Sequence, residues 1–492
     1  MVERMLKFVS IEQAMPDKRP AERRRKDFQE IYAEYSEQKA AEQAARCSQC
    51  GVPFCQVHCP LGNNIPDWLK LTAEGRIEEA YELSSATNNM PEICGRICPQ
   101  DRLCEGNCVI DKGFNAVTIG SVEKYITDTA FERGWVKPPT PRRELGSSVG
   151  IIGAGPAGLA AAEQLRRKGY AVHVYDRYDR VGGLLIYGIP NFKLEKQIVQ
   201  RREALLRAGG IQFHSGVEIG VGVSLADLRA RHDAILIATG VYKARDLGAP
   251  GVGLNNIVAA LDYLTASNRT GLGDKVEAFA SGALDARDKN VVVIGGGDTA
   301  MDCVRTAARQ GAKSVTCLYR RDRANMPGSQ REVKHAEEEG VHFQFLAAPQ
   351  AFIGDRAIAG VRTIRMHLGV PDATGRHVPQ EIPGSQFNLA SELAIKALGF
   401  DAEDLPVLFG APELATSKWG TLKIDRRSMM TSMDGVFAAG DIVRGASLVV
   451  WAVRDGRDVA ERMHRYLQTK DAAPARPPGR ESGRQLARVA AE

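Results

Sequence analysis

Two short stretches decide most of what this chain can become. In Ser148-Val-Gly-Ile-Ile-Gly153-Ala-Gly155-Pro156-Ala157-Gly158 an apolar run enters a glycine-rich turn, and Ala160-Ala-Ala-Glu-Gln-Leu-Arg-Arg-Lys follows as a helix. The same order returns at Val291-Val-Val-Ile-Gly295-Gly296-Gly297-Asp298-Thr299-Ala300. Strands that alternate with helices in this way imply parallel sheets covered by helices. The expected fold class is therefore α/β.

The glycines carry chemistry as well as shape. One makes the tight turn, one lets the backbone approach a pyrophosphate, and one allows close helix–strand packing, so that the helix N-terminus faces phosphates. A bare glycine triad is weak evidence, but the first has its strand, its helix and a following strand, Ala171-Val-His-Val-Tyr-Asp176. Asp176 stands 23 residues after Gly153, where a ribose-binding carboxylate belongs. In the second unit the following strand, Ser314-Val-Thr-Cys-Leu-Tyr, ends in Arg320-Arg321. A carboxylate there would repel a 2′-phosphate, whereas guanidinium groups bind one bidentately, which points to NADP(H) over NAD(H). The bland readings are a purely structural turn and a solvated arginine pair.

Two Rossmann-like units in one chain imply a flavin and a nicotinamide face to face, and the pattern resembles the flavoproteins in which an NADP(H) domain is inserted into an FAD domain. Three further segments carry that resemblance: Ala234-Ile-Leu-Ile-Ala-Thr239-Gly240, Gly435-Val-Phe-Ala-Ala-Gly440-Asp441, and Ser447-Leu-Val-Val-Trp-Ala-Val-Arg-Asp-Gly456, expected to open a helix aimed at the flavin ring. The resemblance assigns FAD contacts to Gly153, Gly155, Pro156, Ala157, Gly158, Asp176, Gly183, Leu184, Thr239, Gly240, Gly440 and Asp441. It assigns NADPH contacts to Gly295, Gly296, Gly297, Asp298, Thr299, Ala300, Arg320 and Arg321. Many such flavoproteins carry a redox cysteine pair; here Gly182-Gly183 is followed by Leu-Leu-Ile-Tyr-Gly-Ile-Pro-Asn-Phe-Lys without a cysteine. Cys303 and Cys317 read as buried packing, so a disulfide reductase is not expected.

The remaining eight of the 10 cysteines lie between Cys47 and Cys108, as Cys47-x2-Cys50-x4-Cys55-x3-Cys59-Pro60 and Cys94-x3-Cys98-Pro99-x4-Cys104-x3-Cys108. Eight thiolates make two four-cysteine sites. Short runs closed by Cys-Pro favour iron–sulfur clusters, and two structural zinc sites are the leading alternative. Zinc would leave the flavin without an electron acceptor; clusters supply one. His58 reads as an incidental neighbour.

The cysteine spacing, Gly182–Lys193, Gly295-Gly-Gly-Asp-Thr-Ala-Met-Asp-Cys and Tyr319-Arg-Arg-Asp-Arg-Ala-Asn-Met-Pro-Gly resemble the small-subunit family of bacterial NADPH-dependent glutamate synthases over nearly the whole chain. The same module occurs in dihydropyrimidine dehydrogenase, in an electron-bifurcating flavoprotein and in stand-alone oxidoreductases. The resemblance implies an NADPH oxidoreductase with FAD and two 4Fe–4S clusters, and a large (alpha) subunit as partner. In the dehydrogenase one cluster has a non-cysteine ligand; here all eight positions are cysteine, with Cys94 the additional candidate. Spacing leaves the assignment open; the interleaved choice, Cys47, Cys50, Cys55 and Cys108 against Cys59, Cys94, Cys98 and Cys104, is favoured. Alternatives are a self-contained NADPH oxidoreductase and a zinc-built docking module on a flavoprotein.

Length and charge agree with this organisation. The 492 residues allow about three domains. The expected division is a helical iron–sulfur domain over 1–146, an FAD domain over 147–287 and 410–470, an NADPH domain over 288–409, and a flexible tail over 471–492. Residues 20–46, with Phe28, Ile31, Tyr32 and Tyr35 at helical spacing, read as an amphipathic helix, and Lys137-Pro-Pro-Thr-Pro-Arg-Arg as a linker. A net charge of +5 gives no footprint for nucleic acid or an anionic membrane. No secretory signal and no apolar run of ~18–20 residues is present, so a cytoplasmic protein is expected. There, clustered cysteines are metal ligands or redox centres more often than disulfides.

Overall fold

The computed structural model describes residues 5–372, 375 and 377–472. Two parallel five-stranded sheets form its centre. The first runs, in spatial order, Val436–Ala438, Ala234–Ile237, Ser148–Ile152, Ala171–Asp176 and Gln212–Ser215. All four pairings are parallel. Val149, Ile151, Val172, Val174 and Leu236 are almost wholly buried, as expected of strands covered on both faces. The second sheet runs Ile257–Ala259, Leu393–Lys396, Asn290–Ile294, Ser314–Tyr319 and His342–Phe345, again parallel throughout.

The second sheet lies in the chain between the fourth and fifth strands of the first, so one unit is inserted into the other. The two crossings between them meet as a short antiparallel ribbon, Lys243–Ala244 against Phe400–Asp401. The edge strand Ile257–Ala259 belongs to the second sheet although it precedes residue 288. Three half-buried residues carry too little periodicity to be read as a strand from sequence. An antiparallel extension, Ala347–Gly354, Ile358–Pro371, His377–Glu381 and Phe387–Ala390, grows from the second unit.

The N-terminal part is helical, with Glu37–Ala44, Ile65–Ala73, Ile77–Thr87, Pro91–Ile97 and Ile119–Glu132 around a core of Trp68, Leu69, Val122 and Ile126. One expectation is corrected here. Residues 20–46 do not make one helix: only Ala21–Arg24 and Glu37–Ala44 are helical, and the segment between them is an irregular strap. Its aromatic side chains go to separate partners. The Phe28 ring lies 6.3 Å from that of Phe192. Tyr32 Oη bonds His335 Nε2 at 2.9 Å, and Tyr35 Oη donates to Ala14 O at 2.6 Å. Tertiary contacts in several directions outweigh weak helical propensity.

Residues 137–143 have no regular structure, and the linker lies along the first unit, with Pro139 against Gly209 and Leu145 N donating to Gly169 O at 2.7 Å. The C-terminal helix Val449–Ala472 includes the first two residues of the expected tail; the rest of that tail lies outside the described residues. Among the described residues no helix is long and apolar enough to cross a membrane.

Candidate functional site

Both glycine loops sit where a strand passes into a helix: Pro156–Lys168 is capped by Gly155, and Asp298–Arg309 by Gly297, neither with a side-chain cap. The first N–H groups of both helices are therefore available for an anion. The loops share one stereochemistry. Gly153 (φ +111°) and Gly295 (φ +148°) hold a conformation that side chains rarely adopt, and a Cβ there would lie 2.3 Å from Ala238 O and 2.3 Å from Ala397 O, respectively. At Gly155 and Gly297, by contrast, an added Cβ would meet nothing within 4 Å. The space above each helix is thus open where a pyrophosphate would lie, and a dinucleotide fits both loops.

Around the first loop, Gly153, Asp176, Thr239 and Tyr242 line a pocket of about 50 Å³. Asp176 Oδ2 accepts from Ala154 N at 2.6 Å and Oδ1 from Tyr178 N at 2.8 Å. Burial raises its carboxyl above the usual range, against those two bonds. The Thr239 hydroxyl is buried without a hydrogen-bond partner among the described residues, an orphan that a bound polar group would satisfy. Gly183 and Leu184 begin the helical turn Leu184–Tyr187 beside Gly155, and Gly240 follows Thr239. Gly440 caps the turn Asp441–Arg444, where Asp441 accepts from Ser447 Oγ at 2.7 Å.

Around the second loop, Ala300 is buried in the helix, while Asp298 and Thr299 are half-buried. Arg320 is exposed and Arg321 half-buried, its Nε donating to His377 O at 2.9 Å. Neither arginine pairs with a carboxylate among the described residues. Cys303 and Cys317 are fully buried, and Cys317 donates to Gly295 O at 3.3 Å.

The eight N-terminal thiols fall into two groups. Cys59, Cys94, Cys98 and Cys104 line one small cavity with Asn88 and Glu123. Cys47, Cys50, Cys55 and Cys108 interact electrostatically with one another. Burial pushes the Cys47 and Cys59 thiols up to about 11 and Cys55 up to about 12. Among the described residues no three His, Cys, Asp or Glu side chains converge as one metal ion needs. The first group lines a cavity instead, an arrangement that suits a cluster better than a single tetrahedral ion.

The parts meet at a cavity of about 230 Å³. Its wall takes Cys94–Gln100 from the cysteine-rich part, Ile189, Phe192, Lys193 and Ser447–Val450 from the first unit, and Asp298, Asp302 and Ser329 from the second. Several of its polar groups carried no sequence signal. Lys193 Nζ donates to Asp302 Oδ1 at 2.9 Å and lies 3.5 Å from Glu332. Burial works against its charge, but those two carboxylates hold its ammonium above the ordinary range. Lys196 is buried behind it, bonding Leu185 O at 3.1 Å and Ile189 O, and burial pushes it down to about 7. Both follow the Gly188-Ile-Pro-Asn-Phe192 motif, which carries the family resemblance and lacks a cysteine but gives no sign of these two buried ammonium groups.

These observations define a class: a two-unit nucleotide-dependent oxidoreductase with a cysteine-built cofactor domain. Residues 147–456 match the pyridine nucleotide-disulphide oxidoreductase family, and residues 24–135 match dihydropyrimidine dehydrogenase domain II, 4Fe-4S cluster. In fold the chain is similar to Mycobacterium tuberculosis FprA in complex with NADPH, at 20% identity and a TM-score of 0.56 over 66% of this chain and 85% of that one. The nearer similarity is in sequence. Glutamate synthase (NADPH) small chain of Azospirillum brasilense is 70% identical over 96% of this chain and 98% of its own length, and that of Escherichia coli (strain K12) 44% identical over 95% and 100%. The chain belongs to the glutamate synthase small-chain family, and it is an oxidoreductase.

Proposed function

We propose that the chain is the electron-entry subunit of a glutamate synthase, oxidising NADPH and delivering electrons to a large (alpha) subunit that makes glutamate from glutamine and 2-oxoglutarate. FAD, NADPH and two 4Fe–4S clusters, when bound, supply the hydride and single-electron chemistry. The observation that carries this reading is the junction cavity, where Cys94 and Cys98, the start of the helix Val449–Ala472 and the second glycine loop share one wall.

The residues divide the work by chemistry. Gly153–Gly158 and Gly295–Ala300 would hold the two pyrophosphates on helix N-termini. Asp176 would accept from the FAD ribose, and Thr239, Gly240, Gly183, Leu184, Gly440 and Asp441 would flank the flavin. Arg320 and Arg321 would pair with the 2′-phosphate. Lys193 and the first N–H groups of the helix Val449–Ala472 place positive charge at the cavity wall, while Ile97, Phe192 and Leu448 exclude water from it. Cys59, Cys94, Cys98 and Cys104 would hold the cluster nearer the flavin, and Cys47, Cys50, Cys55 and Cys108 the outer one.

Beside the outer set Val52, Phe54, Val57 and Val109 are exposed, at 62%, 47%, 64% and 53%. An apolar surface next to a redox centre suits docking of the large subunit. The proposed division is 1–146, 147–287 with 410–470, and 288–409, with the edge strand Ile257–Ala259 crossing to the inserted unit. The setting proposed is the cytoplasm.

Anaerobic titration with NADPH, followed optically and by EPR with and without a candidate large subunit, tests the reading. Flavin bleaching and then a reduced-cluster EPR signal are expected. Zinc in place of iron and labile sulfide would overturn it. A lone chain turning over its own substrate would replace it with a stand-alone oxidoreductase.

A further inference from the structure

The turn Met326-Pro-Gly-Ser329 ends the motif Tyr319–Gly328 that carries the family resemblance, and unlike Arg320 and Arg321 it has no part in the roles above. It connects the strand Ser314–Tyr319 to the helix Gln330–Glu338. One side lies on the second glycine loop: Gly328 N donates to Gly296 O at 3.1 Å, and Ser329 N to Asp298 Oδ1 at 2.9 Å. The other side faces the cysteine-rich part. Ser329 Oγ reaches both oxygens of Asp101 at 3.0 Å, and Gln330 N donates to Asp101 Oδ2 at 3.0 Å. Arg102 reaches Pro327 O, and Arg331 Nη1 donates to Gln100 Oε1 at 3.1 Å.

Ser329 makes no capping bond to its own helix. The cap comes instead from a carboxylate on another part of the molecule, between Cys98 and Cys104 in sequence. Ser329 is 4% exposed, so its hydroxyl and its N–H are both committed. One buried residue thus holds two carboxylates, Asp298 at the nucleotide loop and Asp101 on the cysteine loop.

We propose that Asp101 is a positioning residue for the nicotinamide-nucleotide site, acting through Ser329 on Asp298. The inference rests on the reading of Gly295–Ala300 as the NADP(H) loop. Nucleotide that draws on Asp298 shifts Ser329, and with it the loop bearing Cys98 and Cys104. Because such coupling is reciprocal, NADP+ affinity depends on the oxidation state of the junction-side cluster by the factor by which NADP+ changes the cluster's reduction equilibrium.

The test uses the full-length holoprotein, with NADP+ as probe, in wild type, Asp101→Ala, Asp101→Asn and Ser329→Ala. Calorimetry on the oxidised protein is expected to show about tenfold weaker NADP+ binding in Asp101→Ala, within the range of site–site couplings. Asp101→Asn, which keeps an acceptor for Ser329 and Gln330, is expected to stay within about twofold of wild type. In EPR-monitored redox titrations NADP+ shifts the wild-type cluster midpoint, by about 59 mV for a tenfold one-electron coupling, and the shift is lost in Asp101→Ala and Ser329→Ala.

A contact that merely docks two domains would lower stability while leaving that shift intact, which overturns the proposal. Wild-type affinity in both Asp101→Ala and Ser329→Ala also overturns it. If Asp101→Ala fails to fold, Ser329→Ala decides alone, since it leaves the cysteine loop unaltered. A wild-type protein that binds no NADP+ would sink the nucleotide-loop reading and this inference together. Normal wild-type binding with unaltered variants sinks only this inference.

Discussion

The cysteine-rich part has two unlike faces. Its inner face is built from Cys94–Glu105, the helix Ala21–Arg24 and the strap that follows it, and it is held by directional polar contacts. Arg24 bonds Glu339 Oε1 at 3.0 Å, and Arg305 and Arg309 bind the same carboxylate. Arg96 bridges Glu30 at 2.6 Å and Asp128 at 2.7 Å. Its outer face, around Cys50, Cys55 and Cys108, instead leaves Val52, Phe54, Val57 and Val109 exposed. Ion pairs with fixed geometry suit a permanent contact within one chain, whereas exposed apolar side chains gain only when another surface covers them. The contrast teaches that one small domain can be bolted on one side and left open on the other.

The largest effect is expected from separating the two thiol groups. Cys98→Ser should abolish the junction-side EPR signal and lower NADPH-driven electron delivery by at least roughly a hundredfold, beyond the usual loss of an outer-shell partner. Cys50→Ser should keep that signal and lose delivery to the large subunit. Identical phenotypes in rapid-freeze EPR would erase the distinction between the faces.

Next comes the inner lock. Glu339→Gln leaves Arg24, Arg305 and Arg309 buried without their shared carboxylate, and should cost about 3–5 kcal/mol in chemical unfolding. Loss of less than about 1 kcal/mol, the usual worth of exposed pairs, would show that the inner face is held by packing alone.

On the outer face, Phe54→Asp or Val57→Asp should weaken binding of the large subunit about tenfold, the effect of a moderate hot spot, as read by sedimentation or interferometry. NADPH binding should not change. Unaltered affinity would move the docking surface elsewhere.

The smallest effect is a pH dependence at the strap. Burial holds His335 below its ordinary value despite the neighbouring Glu332, with Arg305 and Lys18 also lowering it. A depressed histidine contributes stability that is fully present above about 6.5. That contribution is lost as pH falls through the depressed folded value. The hydrogen-exchange protection of the strap, taken relative to the intrinsic exchange rate at each pH, should therefore fall on acidification below about 6.5, and His335→Gln should flatten that fall. An unchanged slope would mean that the Tyr32–His335 contact does not report the lock.

Much was legible because the chemistry is local. The strands at 148–152 and 290–294, their helices and the glycine stereochemistry follow from neighbouring residues, and so does the eight-cysteine inventory. The long-range features were not legible. Phe28, Ile31, Tyr32 and Tyr35 looked helical because spacing is local information, whereas their partners, Phe192, His335 and Thr118, are remote in sequence. Lys193 and Asp302 are 109 positions apart, and no periodicity links a lysine in a loop to an aspartate in a helix.

Sequence alone determined the class of fold and the kinds of group the chain can hold, since glycines, cysteines and charged strand ends have fixed stereochemistry and reactivity. Only the tertiary structure decided how those groups are arranged. It brought Cys59 to the cavity that Cys94, Cys98 and Cys104 line, put Cys94 and Cys98 on the wall where the nucleotide units meet, and placed Asp101 on a helix from a different part of the chain. Which residues become neighbours is settled by burying many apolar side chains at once, and no single motif carries that information.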